Sequence, residues 1–168
     1  HHNQWANDAA LALAGISAET SDPVDGTIVR YEGSTEPTGM LFESAGLIVS
    51  RVKNQLNPMT AELWENTSER GMQILHSYGV TAFMDAGVSL DLMKAFKSLE
   101  EQDRMKSWVV GCMMANNMIF DADPIGDGLV WQGEQFRTEH HRPDFIKIFL
   151  DGIPPTHTAC YLEPYLPN

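Results

Sequence analysis

Cysteine is scarce in this 168-residue chain: Cys112 and Cys160 stand alone, with no Cys-x-x-Cys pair and no regular spacing. Two isolated thiols exclude a disulfide framework. Cys112 sits in the apolar run 109–114 and is expected as a buried, reduced thiol, which fits a cytoplasmic setting. Basic residues are also few, 11 against 23 acidic ones, for a formal charge of −12, and Lys and Arg never occur three in a row. Phosphate backbones are bound through clustered cations, so nucleic acid is not an expected partner. Long hydrophobic runs are missing too. Stretches such as 47–49 and 108–110 fall far short of the ~20 residues that cross a bilayer, and no signal-peptide pattern opens the chain. A membrane is therefore not expected as a partner. Gly-x-Gly-x-x-Gly, a phosphate loop and Gly-x-Ser-x-Gly are all absent, which removes the common nucleotide-binding and serine-hydrolase signatures.

What remains is an ordinary globular composition, 43% hydrophobic and 20% charged. Ample apolar content excludes disorder, and a chain of this size can bury roughly two-thirds of its unfolded surface. The first stretch reads as a small α+β unit. Asn7 or Asp8 can cap a short helix carrying Ala9, Leu11, Leu13 and Ala14, and Gly15 ends it. A strand over 27–31, a turn at Glu32-Gly33-Ser34 and a returning strand over 39–42 make a hairpin.

From Thr60 the rhythm changes. Thr60 starts a helix with Leu63, Thr67, Gly71, Ile74, Leu75 and Tyr78 near helical spacing, and Gly79 stops it. Strands are expected over 80–84 ending at Asp85, over 108–114 and over 145–150. A helix is expected over 90–101 with Leu92, Met93, Phe96 and Leu99 inward. Residues 116–139 read as a long loop with some helix, and Met113, Met114 and Met118 as core rather than a metal-binding methionine set. Strands alternating with helices imply parallel β/α units. The expected class is α/β: residues 1–55 as a small α+β insertion subdomain, then 56–168 as about three units of a partial (β/α)8 TIM barrel, whose closed form takes about 250 residues. The last residues read as loop soon after a strand, so a fragment of a longer protein is expected.

Lys147 stands out. A lysine in the middle of an apolar strand, flanked by Ile146, Ile148 and Phe149, is costly unless paired or altered; the alternative is an edge strand from which it reaches solvent. Asp151 follows at the C-terminal end of that strand, the end at which barrel active sites lie, though an aspartate opening an Asp-Gly turn reads the same way. Asp85 holds the equivalent place on an earlier strand. His157 lies in the loop after Lys147, and His140 and His141, before Arg142-Pro143, read as solvated loop.

Three stretches, in this order and spacing, resemble the third amidohydrolase family, which includes N-substituted formamide deformylases and exoenzyme regulators. They are His2-Asn3-Gln4-Trp5-Ala6-Asn7 with Ala10-Leu11 and Ala14-Gly15-Ile16; Gly79-Val80-Thr81 through Asp85-Ala86-Gly87; and Lys147-Ile148-Phe149-Leu150-Asp151-Gly152 with Thr158-Ala159 and Leu162-Glu163-Pro164-Tyr165. Asp25-Gly26-Thr27-Ile28-Val29-Arg30 and Glu36-Pro37-Thr38-Gly39 are similar to the family's inserted subdomain.

The resemblance implies a metal-dependent hydrolase acting on an amide or related C–N bond of a small molecule through metal-activated water. It implies one or two divalent ions, zinc first, with Lys147 as a metal ligand, carboxylated to bridge two ions. It also implies Asp151 in a catalytic supporting role and His2 and Trp5 at the substrate; His157, in the loop after Lys147, is within reach of the substrate, though a surface histidine reads the same way. One departure stands out: many relatives carry Ser after Asp-Gly and then Gly-Ser-Arg-Thr, where this chain has Ile153-Pro154-Pro155-Thr156-His157-Thr158. The family's metal-binding His-x-His is absent, so the segment by itself is expected to be inactive, and its open strand edges to favour a homo-oligomer. The rival reading is a non-catalytic regulatory or binding module that keeps the fold without the metal site.

Overall fold

The computed structural model describes residues 2–116 and 120–166; Met118 lies outside them. The chain divides into two compact units. One comprises residues 2–58, 120–121 and 149–166, the other 59–116 and 122–148. A boundary at 55/56 puts 149–166 in the second unit; by contact they go with the first.

The first unit is built on strand β1 (Asn3–Trp5), helix α1 (Asp8–Leu13), strands β2 (Gly26–Arg30) and β3 (Pro37–Glu43), and helix α2 (Ala45–Leu56). The strands form an antiparallel sheet in the order β1-β3-β2. Asn7 caps α1 by accepting from the Ala10 amide at 2.9 Å. Strand alternation turns Gly39, Leu41 and Glu43 of β3 inward. Leu41 and Ile28 close a core with Ala6, Leu11, Ile16 and Ala45, each large side chain contributing roughly 1.5–3 kcal/mol by leaving water. Gly39 has φ +91°, and a Cβ there would strike the Ala6 carbonyl. Two elements were not foreseen. The opening His-x-x-Trp stretch pairs with β3 as β1 instead of only leading into a helix. Helix α2 begins at Ser44 without a side-chain cap, so no local start signal marks it.

The second unit is α3 (Ala61–Ser77), β4 (Ala82–Val88), α4 (Leu90–Glu101), β5 (Trp108–Met114), the short α5 (Asp127–Val130) and β6 (His141–Lys147). Thr60 and Ser89 cap α3 and α4 through the Leu63 and Leu92 amides. The strands run parallel in the order β4-β5-β6. The fold is mixed α/β with a parallel sheet. Helix α4 buries Met93, Ala95, Phe96 and Leu99, and Met113 and Met114 are buried on β5. Along the strands, however, Met84 (56%), Phe145 (51%) and Ile146 (53%) stay exposed, whereas parallel sheets are ordinarily covered on both faces.

Strand β6 corrects the expected 145–150. It starts four residues earlier, at His141, and Lys147 is its last residue rather than its middle. Pro143 does not block it, because among the described residues β6 pairs with β5 alone, and the register shifts between Val110 and Cys112, opposite Pro143. His140 and His141 are therefore not solvated loop: His140 is half-buried and His141 is buried. No helix among the described residues is long and apolar enough to cross a membrane.

Candidate active site

In the first unit a residue the motifs did not flag, Glu43, ties His2 to Thr158, the neighbour of His157. The Glu43 side chain is buried on the inward face of β3. His2 Nδ1 lies 2.7 Å from Glu43 Oε2, and the Thr158 hydroxyl donates to Glu43 Oε1 at 2.6 Å. The Glu43 amide donates to the His2 carbonyl at 2.7 Å, so backbone and side chain tie the two residues together twice. Asp151 Oδ2 accepts from the Cys160 amide at 2.8 Å, which fixes the Asp-Gly turn and leaves Oδ1 as its second oxygen. Pro154 and Pro155 set a 3₁₀ turn (Pro154–Thr156), after which His157 takes a left-handed φ of +57°. The His157 ring stacks on Tyr165 at 4.4 Å, and burial pushes the Tyr165 hydroxyl pKa up. Trp5 is 78% exposed on β1.

Lys147 belongs to the second unit, half-buried at the C-terminal end of β6 opposite Met114. Its carbonyl accepts from the Ala115 amide at 2.9 Å. Two further groups share its electrostatic neighbourhood. Burial pushes the Cys112 thiol up, the Asp85 carboxylate adds to that shift, and Lys147 opposes it. Asp85 Oδ1 also accepts from the Gly87 amide at 3.2 Å. Deeper in the unit, the His141 ring packs on Phe96 at 5.0 Å, and its Nδ1 bonds the Phe136 carbonyl at 3.0 Å. Its Nε2 is buried with no partner. Burial pushes its pKa down, with the Phe136 carbonyl opposing.

A divalent ion needs three or four donors. Among the described residues, the one group of three His, Cys, Asp or Glu donors within 4.8 Å of one another is Glu100, Glu139 and His140. It lies at the start of β6, about 20 Å along the strand from Lys147 at ~3.3 Å per residue. There His140 Nδ1 meets both Glu100 oxygens, at 2.9 and 3.1 Å, and its ring packs on Trp108 at 4.8 Å. That contact satisfies His140 as a neighbour of Glu100 without an ion. The described residues around Lys147 therefore do not complete a metal site by themselves.

Glu43 and His141 are the polar residues that motif reasoning missed. Glu43 carried one usable signal, its place in the inward alternation 39, 41, 43 of β3. His141 carried none.

A profile of the amidohydrolase family matches residues 1–168. The chain is 28% identical to the exoenzymes regulatory protein AepA of Pectobacterium carotovorum subsp. carotovorum, over 99% of this chain and 35% of that protein. It is 27% identical to the putative amidohydrolase YtcJ of Bacillus subtilis (strain 168), over 98% of this chain and 30% of that protein. Similarity to the N-substituted formamide deformylase of Arthrobacter pascens is 30% over 62% of this chain and 19% of that protein. In fold it is similar to an uncharacterized metal-dependent hydrolase from Pyrococcus furiosus, with a TM-score of 0.59 and 22% identity, covering 98% of this chain and 31% of that one. The chain thus spans about a third of the length of the first two curated relatives.

Proposed function

Because the chain belongs to the amidohydrolase family, we propose that it is part of a longer metal-dependent hydrolase that cleaves an amide or related C–N bond of a small molecule with metal-activated water. The observation that carries this reading is the position of Lys147: the last residue of a parallel strand, at the end where barrel enzymes place their chemistry, within a family match that runs the length of the chain. In this reading β4, β5 and β6 are an arc of a (β/α)8 barrel, and residues 1–55 are an inserted subdomain. The exposed apolar side chains of the parallel sheet then face strands that lie elsewhere in the longer protein.

Lys147, carboxylated, is one ligand of a divalent site, zinc in the first instance, and the remaining ligands come from outside this sequence. Since the residues present do not complete that site, no chemical step is assigned to them through it. Their own contribution is to hold the substrate side: His2, Trp5 and His157 contact the substrate and Asp151 orients its loop. The protein works in the cytoplasm, without nucleic acid or membrane, and the isolated segment is inactive and self-associates through its open strands.

A second reading, a regulatory module without a metal site, draws on the name of the AepA relative and on the incomplete donor set around Lys147. Metal content and amide hydrolysis of the full-length protein, measured beside its Lys147→Ala variant, separate the two. The hydrolase reading expects about one or two divalent ions per chain and loss of both metal and activity in the variant. A full-length protein with neither ion nor activity favours the module. A Lys147→Ala variant that keeps both removes Lys147 from the site.

A further inference from the structure

We propose that Glu43 is a positioning residue that sets the tautomer of His2 and, through Thr158, locks the loop 152–158. Its relevance to catalysis rests on the hydrolase reading; the tautomer and the lock do not.

Glu43 is only 3% exposed, and a buried carboxylate is tolerated only when its oxygens are partnered. Each oxygen has one partner, His2 Nδ1 on Oε2 and the Thr158 hydroxyl on Oε1. Glu43 also holds a φ of +50°, a left-handed conformation that costs a side-chain-bearing residue about 1 kcal/mol or more. The strain persists because the residue is pinned from three sides: His2 twice and Thr158 once.

An ionised carboxylate can only accept hydrogen bonds. In the neutral imidazole the proton between Glu43 and His2 therefore sits on Nδ1, and Nε2 carries the lone pair. His2 Nε2 has no hydrogen-bond partner among the described residues, so the imidazole presents an acceptor outward. A ligand group meeting it must be a donor, an N–H or O–H. The arrangement is the one by which a carboxylate orients an imidazole for work at its other nitrogen.

The same carboxylate orders the loop. Thr158 has one hydroxyl proton and gives it to Glu43, so its lone pairs are free to accept. They take the Ile153 amide at 3.0 Å and the Thr156 hydroxyl at 2.7 Å. The Gly152 amide donates to the Thr158 carbonyl at 3.0 Å. A Cβ at Gly152 would collide with the Thr158 hydroxyl and press on Glu43 Oε1, so the loop closes onto the carboxylate with no room to spare.

Long-range ¹H–¹⁵N correlation spectra of the imidazoles, recorded near pH 8, test the tautomer directly. Wild type is expected to show His2 protonated at Nδ1. In Glu43→Leu nothing at position 43 accepts from Nδ1, and the proton is expected at Nε2 instead. Thr158→Val, which spares the Glu43–His2 contact, is expected to keep the wild-type tautomer while the Ile153 amide exchanges about tenfold faster, the loss of roughly one hydrogen bond. A wild-type His2 protonated at Nε2 overturns the proposal, and so does a tautomer unchanged in Glu43→Leu. Unchanged Ile153 exchange in Thr158→Val overturns the loop lock. If Glu43→Leu does not fold, the wild-type spectrum and Thr158→Val decide. None of these readouts depends on metal or turnover, so failure of the hydrolase reading leaves them standing.

Discussion

Each unit contains a three-stranded sheet, but the two sheets handle their buried polar groups and their open faces differently. In the antiparallel sheet the buried carboxylate of Glu43 has a partner on each oxygen. In the parallel sheet, the buried imidazole of His141 leaves Nε2 with none among the described residues. Exposure also differs in meaning. An antiparallel sheet normally shows one face to water, so an exposed Trp5 is ordinary; a parallel sheet normally does not, so exposed Met84, Phe145 and Ile146 signal a missing cover. The same fractional exposure therefore carries functional information in one unit and little in the other.

The contrast can be broken at its strongest points first. Leu41→Ala in the first unit and Leu99→Ala in the second each remove a fully buried side chain. Each should lower stability by about 2–5 kcal/mol in urea unfolding. A far smaller loss in one of them marks that core as the looser.

Glu43→Ala strands His2 and Thr158 together and should cost about 2 kcal/mol in the same measurement. A loss under about 0.5 kcal/mol would mean the network is ornamental to stability. His141 should act through pH. Burial depresses its folded pKa below the ordinary 6.5, so below pH 6.5 the unfolded chain takes up a proton that the folded chain refuses. Stability should be full above that pH and fall as pH drops toward the folded pKa, with a slope of at most about 1.4 kcal/mol per pH unit from this group. His141→Phe should flatten the slope; unfolding curves at pH 7.5 and pH 5.5 for both proteins decide it. Smallest is Ile146→Lys on the open face, expected to change stability by no more than about 0.5 kcal/mol. A larger loss means that side chain is already covered in solution, which sedimentation velocity would reveal as self-association.

Much of the second unit was legible because its signals are local. The helical spacing of Met93, Phe96 and Leu99 marked α4, and the apolar run 108–114 marked β5. Helix α2 was not legible, since Ser44 makes no cap, and β6 was placed late because Pro143 reads as a strand breaker unless one knows that β6 has a single neighbour. At the candidate site, motif reasoning pointed to His2, Asp151 and His157. It did not point to Glu43, which meets His2 and Thr158 41 and 115 residues away along the chain, and no local pattern encodes contacts at that range. Lys147 was singled out by type but misplaced by half a strand, which changes it from a mid-strand anomaly into the last residue of its strand.

The bare apolar side chains of the parallel sheet have a consequence for how the chain behaves in bulk. They sit on a molecule of net charge −12, so at low ionic strength neighbouring copies repel before those side chains can meet. Salt shortens that repulsion to about 10 Å at 0.1 M and ~3 Å at 1 M, and it leaves the hydrophobic attraction in place. Colloidal stability should therefore run opposite to salting-in: the isolated chain stays dispersed in dilute buffer and thickens into assemblies as salt is added.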